Sequence, residues 1–205
     1  MGSDRTYSLE IAIQPPAVAS AGVPLYPPLV VRVHIHDAAG NEITGEDELS
    51  GLFAQAALYR ESGSPPSIAP PDMFLLSGRL SMSLDLLDEP GAGSSTQGSY
   101  AIFPDLTINR SGRYTLGVSL FKVEGGRVRP SSAGISNGGA GGGTALEEAK
   151  THVVFVQDGA VSTQIGKLSI LSQRNPTLSL LDHSAQTWLD HLRGQGAAVP
   201  SPPRR

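Results

Sequence analysis

The chain of 205 residues contains no cysteine. That excludes a disulfide framework, a cysteine-ligated zinc and a thiol nucleophile, and it fits a reducing compartment. Long apolar runs are missing too: no stretch approaches the roughly 18 residues that a membrane-spanning helix needs. The N-terminus shows no basic flank followed by an apolar core, so no secretory signal is visible. Aromatic residues make only 5% of the chain beside 39% hydrophobic residues, which predicts an aliphatic core. Positive charge is scarce, with 15 Lys and Arg against 19 Asp and Glu, and the net charge of −4 argues against general adhesion to nucleic acid.

Glycine (24) and proline (16), by contrast, are abundant. Together they make roughly a fifth of the chain, above the usual share of about an eighth, and they point to loops and an unstructured segment inside a folded protein. The length suits one domain.

The first half carries β signals. Tyr7–Ile13 alternates and stops at Gln14-Pro15-Pro16, where the prolines end any ladder. Leu29–His36 alternates again, with Val31, Val33 and Ile35 on one face, and closes in the turn cluster Asp37–Asn41. Further strand candidates are 74–87, 100–109, 113–123 and 152–157, separated by Gly- and Ser-rich turns. Short strands at this spacing, with no alternating helices, predict a mainly β sandwich. Two segments have helical period. In Glu46–Tyr59, Leu49, Leu52, Phe53 and Ala56 share a helical face, although 52–59 reads equally as a strand; Asp182–Leu192 groups Ala185, Trp188, Leu189 and Leu192, with Gly194 as its stop. Trp188 is expected to be buried there. The sequence predicts one domain over 1–196, flexible insertions at 62–72 and 130–146, and a disordered Pro/Arg tail at 197–205.

Candidate chemistry is thin. His34 and His36 share a strand face, but two imidazoles do not make a metal site, and no third ligand has a diagnostic spacing. Six residues separate Gly159 from Gly166 and Leu follows Lys167, so this is not a phosphate loop. Asp182-His183-Ser184 on one helical turn cannot adopt triad geometry and reads as a cap. Met1-Gly2 fits a short myristoylation pattern that is often accidental, and Asn109-Arg110-Ser111 is a glycosylation sequon without a secretory route. No enzyme and no cofactor are expected. Charge distribution says more. Arg32 is the only basic residue between Thr6 and Tyr59, whereas Arg110, Arg113, Lys122, Arg127 and Arg129 stand against Glu124 alone. Such a group reads either as solvated surface or as a phosphate-facing edge.

The order of segments resembles the velvet domain of fungal regulators. The central likeness is Phe103-Pro104-Asp105-Leu106-Thr107-Ile108, followed by Gly112-Arg113-Tyr114 and Ser119-Leu120-Phe121. Before it, Leu76-Ser77-Gly78-Arg79-Leu80 and Leu86-Leu87-Asp88 match the family's Leu-x-Gly-x-Leu and Leu-x-Asp. Tyr7, Leu9, Gln14 and Pro15 match its opening strand, and Ser184–Gly196 with Arg204-Arg205 resembles its terminal helix and basic finish. The likeness runs through nearly the whole chain in the same order.

The resemblance implies an immunoglobulin-like, Rel-type β-sandwich with one or two short helices, and it favours strand over helix at 52–59. It implies a nuclear regulator of development and secondary metabolism, shuttling with the cytoplasm, that dimerises with itself or another velvet-domain protein and contacts duplex DNA. The candidate DNA-binding residues are Arg113 foremost, then Arg110, Arg127, Arg129, Lys122, Arg204 and Arg205. The family's basic loop corresponds here to Pro16–Tyr26, which carries no charge, and two family arginines are replaced by Asn109 and Thr115. A second reading is therefore a non-catalytic dimerisation partner with little DNA contact. A third is a β-sandwich that binds a small ligand in an aromatic groove.

Overall fold

The computed structural model describes residues 5–60, 74–89, 96–124, 127–128, 145–159 and 176–202. The insertion expected at 62–72, most of that at 130–146, and Arg129, Arg204 and Arg205 lie outside them.

Alternation becomes pairing as the pattern requires. Strand β1 (Thr6–Ile13) runs antiparallel to β3 (Leu29–His36), with a bulge between Ile11 and Ile13. Next to β3 lies β8 (Gln97–Phe103), and then β7 (Asp85–Asp88), completing a sheet in the order β1-β3-β8-β7. The second sheet is built around β10 (Gly112–Glu124), flanked by β4 (Leu52–Arg60) and β12 (Glu147–Gln157). Its edges are β2 (Val18–Ser20) and β6 (Ser81–Ser83), and β11 (Arg127–Val128) folds back on β10. A small ladder joins β5 (Leu76–Ser77) to β9 (Thr107–Ile108).

The two large sheets close on a shared aliphatic core. Val31, Val33 and Ile35 from β3 and Phe103 from β8 meet Ala54, Ala56 and Leu58 from β4, Leu116, Val118 and Leu120 from β10, and Val154 from β12. These side chains alternate along their strands, so each strand turns one face inward. The mainly β sandwich expected from the sequence is the observed fold.

Several boundaries move. The helical period near residue 50 yields one turn, α1 (Glu46–Leu49), and then β4 takes over. Leu52, Ala54, Ala56 and Leu58 are the inward face of β4, while Phe53, Ala57 and Tyr59 make its outward face largely apolar around the exposed Gln55. With only Gln55 polar in residues 52–58, the period of two is masked. The candidate at 74–87 breaks into three short strands: Gly78 turns the chain with φ +104° between the first two, and the chain passes from the larger sheet to the four-stranded one between the second and third. The terminal helix α2 spans Pro176–Gly194, six residues earlier than its expected start.

Helix α2 covers the outside of the four-stranded sheet. Leu189 and Leu192 are fully buried there against Val30, Leu87, Tyr100 and Ile102. Trp188 is half-buried rather than buried, with its ring edge-on to Tyr100 at 5.6 Å. The segment expected to begin a disordered tail is seated: Val199 is buried in the same cluster, and the Arg193 guanidinium donates to the Pro200 carbonyl at 2.7 Å. The expected insertion also ends earlier than 146, since the Leu146 amide donates to the Leu120 carbonyl at 2.7 Å.

Candidate functional site

The motif residues meet at one end of the sandwich. Ladder β5–β9 pairs Leu76 with Ile108 and Ser77 with Thr107, bringing the Leu-x-Gly segment onto the Phe-Pro-Asp-Leu segment. A Cβ on Gly78 would collide with the Asp105 carbonyl, so the close approach needs glycine as much as the φ does. Asp105 accepts from the Arg79 amide at 2.8 Å and from its Nε at 3.2 Å. Phe103 and Leu106 are buried beneath this junction. The Tyr114 ring lies over Gly112, and its hydroxyl donates to the Ser111 carbonyl at 3.3 Å. Tyr7 and Leu9 pack on the core. Pro15 is buried, and Gln14 Oε1 accepts from the His152 amide at 3.2 Å, tying β1 to β12. These motif residues hold strands together.

The uncharged loop is strapped across the same end. The Gly22 amide donates to the Ile108 carbonyl at 2.9 Å, and the Leu25 amide to the Leu106 carbonyl at 2.8 Å. Leu25 is buried, whereas Val23 is 51% exposed and nearby Phe74 is 70% exposed. Asn109 is occupied structurally: its Nδ2 donates to the Phe74 carbonyl at 2.7 Å and to Ser77 Oγ at 3.0 Å.

The candidate cations do not form one edge. Arg113 opens β10 and Lys122 nearly ends it; nine residues of strand set them about 30 Å apart and on opposite faces. Arg110 and Arg113 belong to the end with the strapped loop, where Ser111 Oγ donates to Asp158 at 2.6 Å and the Arg113 guanidinium stacks 4.6 Å from the Phe155 ring centre. Lys122 and Arg127 belong to the far end, where the β11 backbone pairs Arg127 with Glu124. A run of cations in sequence is thus divided by the strand that carries it.

Arg32 is committed elsewhere. Arg32 contacts Glu89 at 2.5 Å and Glu42 at 3.3 Å. His34 sets Nδ1 2.8 Å from Glu42 and Nε2 3.4 Å from Glu10, and its ring stacks on His36 at 6.3 Å. Burial would push the Glu42 carboxyl up, but hydrogen bonding to His34 and the charges of His34 and Arg32 bring it below its ordinary value. Among the described residues no group of three or more His, Asp or Glu is placed to hold a metal.

A second feature lay outside the sequence reading. On the outward face of the larger sheet, the Tyr59 ring covers Gly117, its hydroxyl donates to Glu148 at 2.7 Å, and Lys150 Nζ sits 4.4 Å from the ring centre. Phe53 and Phe121 stack at 5.3 Å further along that face. Residues 59 and 148 are far apart in sequence, so only strand pairing across β10 could reveal the group. An open groove of about 710 Å³ runs between Glu46 and Leu49, Leu84–Leu87, and Gln195–Ala198. Burial raises the Asp85 carboxyl above its ordinary value there. No aromatic residue lines this groove.

No family model matches the chain. It is similar to the developmental and secondary metabolism regulator veA of Aspergillus fumigatus, 27% identical over 137 residues, or 59% of this chain and 23% of that protein. It is similar also to the developmental and secondary metabolism regulator VEL1 of Cochliobolus heterostrophus, 28% identical over 134 residues, or 59% of this chain and 21% of that one. The matches support a divergent member of the velvet family. The chain therefore spans less than a quarter of the length of these velvet relatives. Both are named as developmental and secondary metabolism regulators. Asn109, where the resemblance expects an arginine, spends its amide on the Phe74 carbonyl and Ser77 Oγ. No helix among the described residues is long and apolar enough to cross a membrane.

Proposed function

We propose that this chain is a non-catalytic regulator of velvet type that works in the nucleus as one half of a dimer. Its DNA contact is confined to the end of the sandwich that carries Arg110 and Arg113. The observation that carries this reading is the length of β10, which leaves two cations of the candidate group at that end and sends Lys122 and Arg127 to the other. Phosphate contacts supply sequence-independent affinity, at roughly 0.9 logarithmic units of salt dependence per contact on B-form DNA. Two contacts give a shallow slope of about −2 and weak binding.

The test is a salt series on mixed-sequence duplex DNA, with the chain alone and with a velvet-domain relative. The expected result is weak binding alone, with the shallow slope, abolished by Arg110→Ala combined with Arg113→Ala. A slope of about −6 or steeper, or binding indifferent to both substitutions, would overturn the assignment. A second reading has its own support in the uncharged, strapped Pro16–Tyr26 loop. In that reading the chain contributes a dimer surface and the relative contacts DNA, so binding appears only in the mixed complex.

A further inference from the structure

The four-stranded sheet ends on β7, and β8 pairs with only one side of that strand. The Glu89 amide donates to the Thr96 carbonyl at 2.9 Å, which fixes the alternation of the antiparallel ladder. Leu87 and Asp85 therefore turn their backbone groups toward β8, while Asp88 and Leu86 turn theirs outward. At Asp88 the outward groups are met by one side chain. Gln195 Oε1 accepts from the Asp88 amide at 2.6 Å, and Gln195 Nε2 donates to the Asp88 carbonyl at 3.1 Å. A side-chain amide thus stands where the peptide group of a next strand would. The end of α2 places it there. The Ala197 amide donates to the Leu192 carbonyl, the Gly196 amide donates to the Arg193 carbonyl, and Gly196 takes the left-handed conformation of this helix ending, φ +85°. Two residues along the edge, the outward N–H and C=O of Leu86 have no such partner among the described residues.

Beside Leu86 the edge opens into the groove of about 710 Å³. Leu49, Leu84 and Leu86 give it apolar walls; Glu46 and Asp85 are its charged residues, and no Lys, Arg or His among the described residues lines it. Burial costs the Asp85 carboxylate its water, and no opposite charge or hydrogen bond offsets that loss. We infer that the β7 edge docks an extended peptide segment of a partner protein, one that alternates apolar residues with Lys or Arg and adds an antiparallel strand there. Antiparallel addition continues the pattern of this sheet. Backbone pairing with Leu86 supplies attachment, and the groove supplies selectivity. Leu86 lies opposite Ser99, and Ser99 opposite the core residue Val33, so the added residue facing Leu86 points to the inner, apolar side. Its two neighbours point to the other face, which Asp85 shares. There a cation meets a carboxylate that lacks one, whereas an anionic segment would meet like charge. The groove lies at the Lys122 end of the sandwich: Ser50 lines it, and the next carbonyl, of Gly51, accepts from the Val123 amide at 2.8 Å. Docking there leaves Arg110 and Arg113 free, so the inference does not depend on the DNA assignment.

The test is fluorescence anisotropy of a fluorescein-labelled Lys-Val-Lys-Val-Lys peptide with the full chain from about 1 to about 500 µM, a range that resolves micromolar association. The expected result is saturable binding, with Glu-Val-Glu-Val-Glu at least about tenfold weaker. Methylating the valine nitrogens removes the donors that would face the Leu86 carbonyl and keeps every peptide charge. It should weaken binding at least about tenfold, and it leaves the protein untouched. Asp85→Lys should weaken binding by a similar factor. Leu86→Pro deletes an outward N–H that the β8 ladder does not use, a change an edge strand accepts, and should also weaken it. Absence of saturable binding would overturn the inference, as would equal binding of the two peptides. So would a methylated peptide that binds like its parent, or binding indifferent to Asp85→Lys or to a folded Leu86→Pro.

Discussion

Tyr59 concentrates several effects in one side chain. Its hydroxyl loses water on the sheet face, donates to Glu148 and lies in the field of that carboxylate, which pushes its pKa up to about 12 from the ordinary 10. Desolvation leads, and the acidic neighbour adds to it. Raising the folded value of an acid favours its neutral form, so the resulting stability is complete below pH 10 and is lost as pH climbs from 10 to about 12. An absorbance titration near 295 nm should show the Tyr59 phenol ionising at about pH 12, a step lost in Tyr59→Phe, beside a Tyr100 phenol that burial also raises. Ionisation of all five tyrosines near the ordinary value would contradict the described geometry. Nothing in the local sequence marks Tyr59, since its partners Gly117, Glu148 and Lys150 come from two other strands. Asp105 was legible as a motif residue, but its role as acceptor for Arg79 required the β5–β9 ladder.

Elements were legible in proportion to how one-sided their burial is. Strand β3 turns Val31, Val33 and Ile35 to the core and Arg32, His34 and His36 outward, so its period of two survives in the sequence. Strand β4 has an aliphatic inner face and a partly aromatic outer one, and helical period competes there. Helix α2 declares its apolar stripe, yet only the fold shows that the stripe seats on the outside of a sheet and carries residues 197–202 with it. Because Leu192 is fully buried in that contact, Leu192→Ala should cost about 2–5 kcal/mol in urea unfolding through lost transfer energy and the cavity left behind. Phe74→Ala, at an exposed site, should stay within about 0.5 kcal/mol. A loss below about 1 kcal/mol for Leu192→Ala would mean that α2 is not docked as described.

For the molecule as a whole, electrostatics are local despite the net negative charge. Arg5 binds Glu48 through two nitrogens, and Arg32 and His34 gather Glu10, Glu42 and Glu89. Backbone donation from Asn41, then its side chain, holds Asp37 below its ordinary value, and Glu42 is lowered as well. Depressed carboxyls contribute stability above their unfolded values of 3.8 and 4.5, and that contribution is lost as pH falls through the folded values. Asp85 works the other way, its carboxyl being raised by burial. With two lowered groups against one raised, thermal stability should decline below about pH 4, and Glu42→Gln should flatten part of the decline. A melting temperature that is level from pH 6 to 3 would contradict this balance.

The sequence by itself determined the class of the molecule. Missing cysteine excluded thiol chemistry and disulfide scaffolding, alternation in β1 and β3 specified strands, and the collinear motifs pointed to the velvet family before any comparison. These are properties that composition and period two carry locally. Tertiary structure decided where charge and aromatic surface come to lie. One run of cations became two distant groups because an extended strand gains about 3.3 Å per residue, and four aromatic residues from three strands became one face because neighbouring strands lie about 4.8 Å apart.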